Sequence, residues 1–167
     1  DAEHAQSWLL FPENMGASLS IDETSLSRGE LYTIISNKSA RGRKGTIVAI
    51  VKGTKINDVV KVVKTLPFET RLLVKEVTMD FSDSMHAIVE KCFPDAIITL
   101  DRFHVARELK HGLRELPVHW KAVRRALAAY DPQGWFAAMD AIPKESIPEA
   151  RRTDWERLKG FLRGHEK

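Results

Sequence analysis

Short apolar runs recur through the first hundred residues, each bounded by polar or turn-forming positions. SLSID (18–22), LYTIIS (31–36), TIVAIV (46–51), EVTM (76–79) and AIITL (96–100) have the length and the β-branched and aromatic content of strands. The first is expected to end on Asp22. TIVAIV is continuously apolar, so it is expected to be a central strand. Short links, one of them the glycine-bearing NKSARGRKG, join the first three strands into an antiparallel meander.

A different period lies between the later runs. KINDVVKVVKT (55–65) places Ile56, Val59, Val60 and Val63 on one helical face with lysines opposite, and Pro67 ends that helix. In SDSMHAIVEKCF, Met85, Ile88, Val89 and Cys92 or Phe93 share a face, Ser82 is placed as N-cap and Pro94 breaks the run. A third helix starts after Asp101, with Phe103, Ala106, Leu109, Leu113 and Leu116 spaced by three and four. The order β-β-β-α-β-α-β-α predicts an α/β fold, a mixed sheet with helices on both faces, followed by a helical extension. Residues 15–116 form the first expected domain. Residues 117–167, with WKAVRRALAAY, a DPQG turn, WFAAMDAI and a stretch around Trp155, form the second.

Composition narrows the class. Hydrophobic residues make up 43% and charged residues 29% of the 167, the balance of a globular chain rather than a disordered one. No apolar stretch approaches the roughly 20 residues of a membrane span, and the N-terminus carries no secretory pattern. One cysteine, Cys92, excludes an internal disulfide and a cysteine zinc site, which suits a reducing compartment. Charge is uneven: residues 41–75 set nine bases against Asp58 and Glu69, while residues 1–40 are mainly acidic. Acidic islands beside basic stretches suit a site that holds cations near a polyanion.

Asp22, Asp80 and Asp101 each follow an apolar run directly. If their strands are neighbours, three carboxylates gather in a small region and repel unless a cation joins them. Mg²⁺ takes such hard oxygen ligands, and two ions about 3.5–4 Å apart support phosphoryl transfer. Ordinary helix capping is the competing explanation for each aspartate. His104 follows Asp101 by one helical turn, so both side chains can face one point. Glu108 and His111 continue that stripe as a solvated face. Glu23 points away from Asp22 if the strand continues. Arg41, Arg43 and Lys44 in the hairpin tip, with Arg102, Arg107, Arg114, Arg124 and Arg125, are candidates for sequence-independent phosphate contacts. A receiver-like fold is disfavoured, because such folds alternate strand and helix from the start.

SIDETSLSRGELYTIISNK, VTMDFSDSM and LDRFHV, in that order, resemble the core of bacterial insertion-sequence transposases, the ISL-three kind of DDE enzyme, over about residues 18–116. The resemblance implies a ribonuclease H-like catalytic core and identifies the helical tail as the start of an all-helical insertion. It implies that Asp22 and Asp80 are catalytic carboxylates holding Mg²⁺ or Mn²⁺, and that Asp101 and His104 form an accessory D-x-x-H element. It further implies double-stranded DNA as partner, at transposon ends and target, a homo-oligomer at full length, and a bacterial cytoplasmic setting. The third carboxylate should be a glutamate on a helix after the insertion. Glu145, Glu149, Glu156 and Glu166 come too soon after Asp101 for that role. The expectation is therefore a core fragment that lacks one ligand, lacks the zinc-binding and helix-turn-helix regions, and is inactive alone. The alternative is a non-catalytic remnant that binds nucleic acid or a partner chain.

Overall fold

The structure is a computed structural model that describes residues 7–25, 29–80, 82–101, 104, 107, 110, 117–129, 132–149, 152, 153, 155, 156, 159 and 160. The chain divides into two compact units, Asp1–Leu100 and Asp101–Lys167.

The first unit is built on a sheet of six strands: β1 (Trp8–Leu10), β2 (Ser18–Ser25), β3 (Leu31–Asn37), β4 (Ile47–Lys52), β5 (Glu76–Met79) and β6 (Ile97–Leu100). They lie in the order β1-β4-β3-β2-β5-β6. The β2-β3-β4 meander is antiparallel, whereas β5 and β6 add in parallel beyond β2. Three helices intervene: α1 (Ile56–Val63), α2 (Phe68–Leu72) and α3 (Asp83–Cys92). The expected mixed α/β sheet is what forms.

Alternation along the strands divides the sheet into two chemistries. Leu19, Ile21, Ile35, Ala49, Val51, Val77 and Met79 are buried. Ser18, Ser20, Asp22, Glu76 and Thr78 occupy the intervening positions on β2 and β5 and are half-buried or exposed. The helices α1 and α3 touch each other as well as the sheet, and they bury Val59, Val62 and Val63 with Met85, Ile88, Val89 and Cys92. The face of α1 turns slightly from the expected one: Val62 is buried where Val60 was expected. Ser82 does cap α3, accepting the Met85 N–H at 3.4 Å.

Three expectations change. The strand that should end on Asp22 continues to Ser25, because β3 pairs with it along its whole length, Asp22 opposite Ile34 and Ser25 opposite Leu31. The edge strand β1 was not foreseen. Three residues are too few to show a period, and pairing with β4 through Trp8–Val51 and Leu10–Ala49 creates it. Nor was α2 foreseen, whose five residues follow Pro67 directly.

Arg71 on α2 is buried, with 7% of its surface exposed. Its Nη1 donates to the Cys92 carbonyl at 2.7 Å and its Nε to the Leu66 carbonyl at 3.4 Å, while its guanidinium lies 5.2 Å from the Phe68 ring centroid. Cys92 is buried too, and desolvation pushes its thiol up to about 11. A thiol is unreactive in that state. Iodoacetamide at pH 8 is expected to leave Cys92 unmodified in the native protein and to label it at the rate of unfolding in denaturant, as read by intact mass.

In the second unit, α4 (Pro117–Ala128) and α5 (Pro132–Asp140) pair as a helical hairpin. DPQG was expected to be a turn, yet Pro132 instead opens α5. Its missing N–H costs nothing at that position, where no intrahelical partner exists. Val123, Met139, Ile142, Ile147 and Trp155 are buried in this unit.

Candidate active site

The sheet register decides which aspartates meet. On the parallel pair β2–β5, Ser18 lies opposite Glu76, Leu19 opposite Val77 and Ser20 opposite Thr78. Two residues further along stand Asp22, still on β2 and on the polar face of Ser20, and Asp80, the first residue after β5. Adjacent strands lie about 4.8 Å apart, and continuing the register by two residues brings both aspartates to one end of the sheet, where the charge of each acts on Glu23. Asp22 is exposed and Asp80 half-buried.

Each carboxylate is fixed by a local bond. Asp22 Oδ1 accepts the Glu23 N–H at 2.8 Å, and Asp80 Oδ1 accepts the Ser82 N–H at 3.0 Å in the turn leading into α3. Each of these bonds occupies Oδ1.

Glu23 shows how crowded the charge is. It alternates away from Asp22 as expected, opposite Thr33. Its carboxyl is nevertheless raised above the usual carboxylate range, first by burial, then by the charge of Asp80, then by that of Asp22. Alternation along β2 points Glu23 away from Asp22, and its adjacency to Asp22 in IDE is the signal that ties it to the pair. A carboxyl raised on folding holds its proton more tightly in the native state. It thus favours the native state at low pH and loses that contribution as pH rises from the unfolded value through the raised one. With chelator present, Glu23→Gln is expected to raise the melting temperature at pH 7, with the gain shrinking toward pH 4, as measured by calorimetry across that range.

Upstream on the polar face a network ties the strands together. Glu76 accepts Ser18 Oγ at 3.1 Å and Lys38 Nζ at 3.1 Å, and Lys38 also donates to Thr78 Oγ1 at 2.7 Å. The hydrogen bond from Lys38, above all, holds the Glu76 carboxyl below its ordinary value.

The basic tip lies at the other end. Asn37, the last residue of β3, pairs with Leu19, three residues or about 10 Å before Asp22 along β2. Arg41, Arg43 and Lys44 are exposed beyond it, close to one another in sequence but not beside the aspartates. Asp101 follows Leu100 directly and opens the second unit. It is half-buried, as is His104, while Arg107 is exposed. Arg102, Glu108, His111 and Arg114 lie outside the described residues, and Arg124 and Arg125 are exposed on α4. Glu145, Glu149 and Glu156 are exposed, and Glu166 lies outside the described residues.

Among the described residues, no three His, Cys, Asp or Glu side chains converge as a metal-binding group. The pair Asp22 and Asp80 still suits a hard divalent cation. Both are oxygen donors, and the negative field they impose on Glu23 is what such an ion would relieve.

A parallel extension of an antiparallel meander, with one aspartate on β2 and another directly after β5, fits a ribonuclease H-like α/β domain. Within it, the profile of the ISL3-type DDE transposase family, described as transposase, matches residues 19–152. That is more than half of the chain, and the chain belongs to this family. The match runs through the α4–α5 hairpin and leaves β1 outside. No curated protein matches the chain. Among the described residues no helix is long and apolar enough to cross a membrane.

Proposed function

We propose that this chain is the metal-dependent phosphoryl-transfer core of a DNA transposase, with Asp22 and Asp80 as its first two catalytic carboxylates. The observation that supports the reading is the parallel β2–β5 register, which pairs Ser20 with Thr78, each two residues before one of the two aspartates. Asp22 and Asp80 would hold Mg²⁺ or Mn²⁺, and the fixed backbone bonds on their Oδ1 atoms orient them for it. When bound, such ions supply Lewis acidity and a water acidic enough to attack a phosphodiester. The substrate is double-stranded DNA at transposon ends and then at the target, handled by a homo-oligomer.

Asp101 and His104 retain their accessory role from the resemblance: His104 donates a hydrogen bond to a phosphate or orients Asp101. With two carboxylates assigned, Asp22 and Asp80, this chain alone is expected to bind the cation weakly and to leave DNA uncut. The second reading, a nucleic-acid-binding remnant, is favoured by the lack of a three-ligand group among the described residues. Titration of the chain with Mn²⁺ under electron paramagnetic resonance separates the two. Saturable binding that disappears in both Asp22→Asn and Asp80→Asn supports the catalytic core. Binding unaffected by either substitution refutes it.

The basic tip contributes through charge. If Arg41, Arg43 and Lys44 contact DNA phosphates, replacing one with Ala should reduce the slope of log affinity against log salt by about 0.9. Fluorescence anisotropy of a labelled duplex at several salt concentrations measures that slope.

A further inference from the structure

Between the end of the sheet that holds the aspartates and the end that holds the basic tip, the polar face carries a run of hydroxyl groups. Ser20, Thr78 and Thr99 stand in one cross-strand row over β2, β5 and β6, and Ser18 stands opposite Glu76 in the row before it. Ser18, Ser20 and Thr78 are half-buried and Thr99 is exposed. Hydroxyls on such a surface are common donors to phosphate oxygens.

Lys38 brings a positive charge into the middle of this run. It opens a single 3-10 turn, Lys38–Ala40, which Asn37 caps by accepting the Ser39 N–H at 2.9 Å. Since β2 lies between β3 and β5, the Lys38 side chain reaches across β2 to its partners on β5. There Nζ donates to Thr78 Oγ1 at 2.7 Å and to Glu76 Oε1 at 3.1 Å. An ammonium group has three donors. The third has no partner among the described residues, and the side chain is 40% exposed. A pair as exposed as Lys38 and Glu76 holds its lysine only weakly. Glu76 has a second donor of its own, Ser18 Oγ, on Oε2 at 3.1 Å.

The location of this ammonium group is what gives it a partner. Thr78 precedes Asp80 by two residues, no more than about 7 Å of chain. On the other side, the Arg41 N–H donates to the Lys38 carbonyl at 3.1 Å, so the basic tip begins within the same turn. One strand of DNA advances about 3.4 Å along its axis per phosphate. The distance of about 10 Å from the level of Asp22 to the root of the tip thus spans about three phosphates. Lys38 stands between the two ends, on the face that carries Asp22.

We infer that Lys38 holds a backbone phosphate of the DNA strand that runs from the aspartates to Arg41, Arg43 and Lys44, with Glu76 as the counter-charge that keeps its ammonium group in place without DNA. The inference rests on the reading of the chain as a DNA-processing core and gives its substrate a path along β2 and β5. It uses neither metal-site aspartate. The contact is to the backbone, so it carries no sequence preference.

The test is fluorescence anisotropy of a labelled blunt duplex titrated with the whole chain in chelator, at several salt concentrations. Lys38→Met is expected to weaken binding about fivefold to tenfold near 0.1 M salt and to lower the slope of log affinity against log salt by about 0.9. Lys38→Arg, which keeps the charge, should hold the parent slope. Combined with Arg41→Ala, Lys38→Met should lower the slope by about 1.8, as two separate phosphate contacts do. Glu76→Gln is expected to tighten binding about threefold, the effect of removing one like charge roughly 6 Å from a phosphate in a water-like medium. These opposite signs distinguish a phosphate contact from a structural pair, which would lose affinity from either side. An unchanged slope in Lys38→Met, a combined fall of only about 0.9, or weaker binding in Glu76→Gln overturns the inference. A parent chain that binds no duplex instead overturns the DNA-core reading beneath it. With chelator present and both aspartates in place, the Mn²⁺ result is decided separately.

Discussion

Asp80→Asn is expected to lower the chain's affinity for Mn²⁺ by more than about 100-fold, the upper end of what even outer-shell partners of a metal site cost when removed. The substitution is nearly isosteric. An asparagine keeps the carbonyl oxygen that accepts the Ser82 N–H, so the turn into α3 and the cap on that helix survive. What disappears is one negative charge in a group where like charges oppose one another. Glu23 reports that opposition, since Asp80 contributes more than Asp22 to raising it. Without metal, Asp80→Asn should therefore leave the melting temperature unchanged or raise it. With saturating Mn²⁺ it should remove the stabilisation that ligand binding confers on the parent chain. Paired melting curves with and without Mn²⁺ read both effects. A variant that melts lower in chelator would mean that Asp80 acts mainly as a cap.

The second large effect is in the support behind the site. Arg71 is a buried cation whose contacts among the described residues are two carbonyls and an aromatic ring. One of those carbonyls, that of Cys92, belongs to the last residue of α3, where the helix carries partial negative charge. Arg71 thereby fastens α2 to the far end of the helix that starts beside Asp80. Hydrogen bonds from a charged donor are each worth about 1.5–3 kcal/mol, and their loss leaves buried acceptors unsatisfied. Arg71→Met, which keeps the stem but not the donors, is expected to cost about 2–4 kcal/mol. That corresponds to a fall of roughly 5–10 °C in melting temperature for a chain of this size. Arg71→Lys should recover only part of the loss, since one ammonium cannot serve both carbonyls in the geometry of the planar fork. Chemical denaturation of the three proteins ranks them.

Arg71 also marks a limit of sequence reading. Nothing in FETRL distinguishes a buried arginine from a solvated one, because its partners lie 5 and 21 positions away. Ser82 is the contrary case. A serine three residues before the first apolar helical position predicts its own bond, and that bond is present.

The local pattern alone determined the elements that carry their own period: the three-strand meander, α1, α3, and strands β5 and β6 after them. It also marked Asp22 and Asp80 as carboxylates attached to strands, and three short strings placed the chain in its family. All of this is short-range information, written in alternation, capping and turn residues. Tertiary pairing decided the rest. Pairing with β3 carried β2 past Asp22, and pairing with β4 made a strand of WLL. The parallel register of β2 with β5 brought Asp22 and Asp80 to the same end of the sheet, although 58 positions separate them. The same sheet sent the basic hairpin tip to the opposite end. A hydrogen-bonded register is a relation between segments, so no single segment contains it.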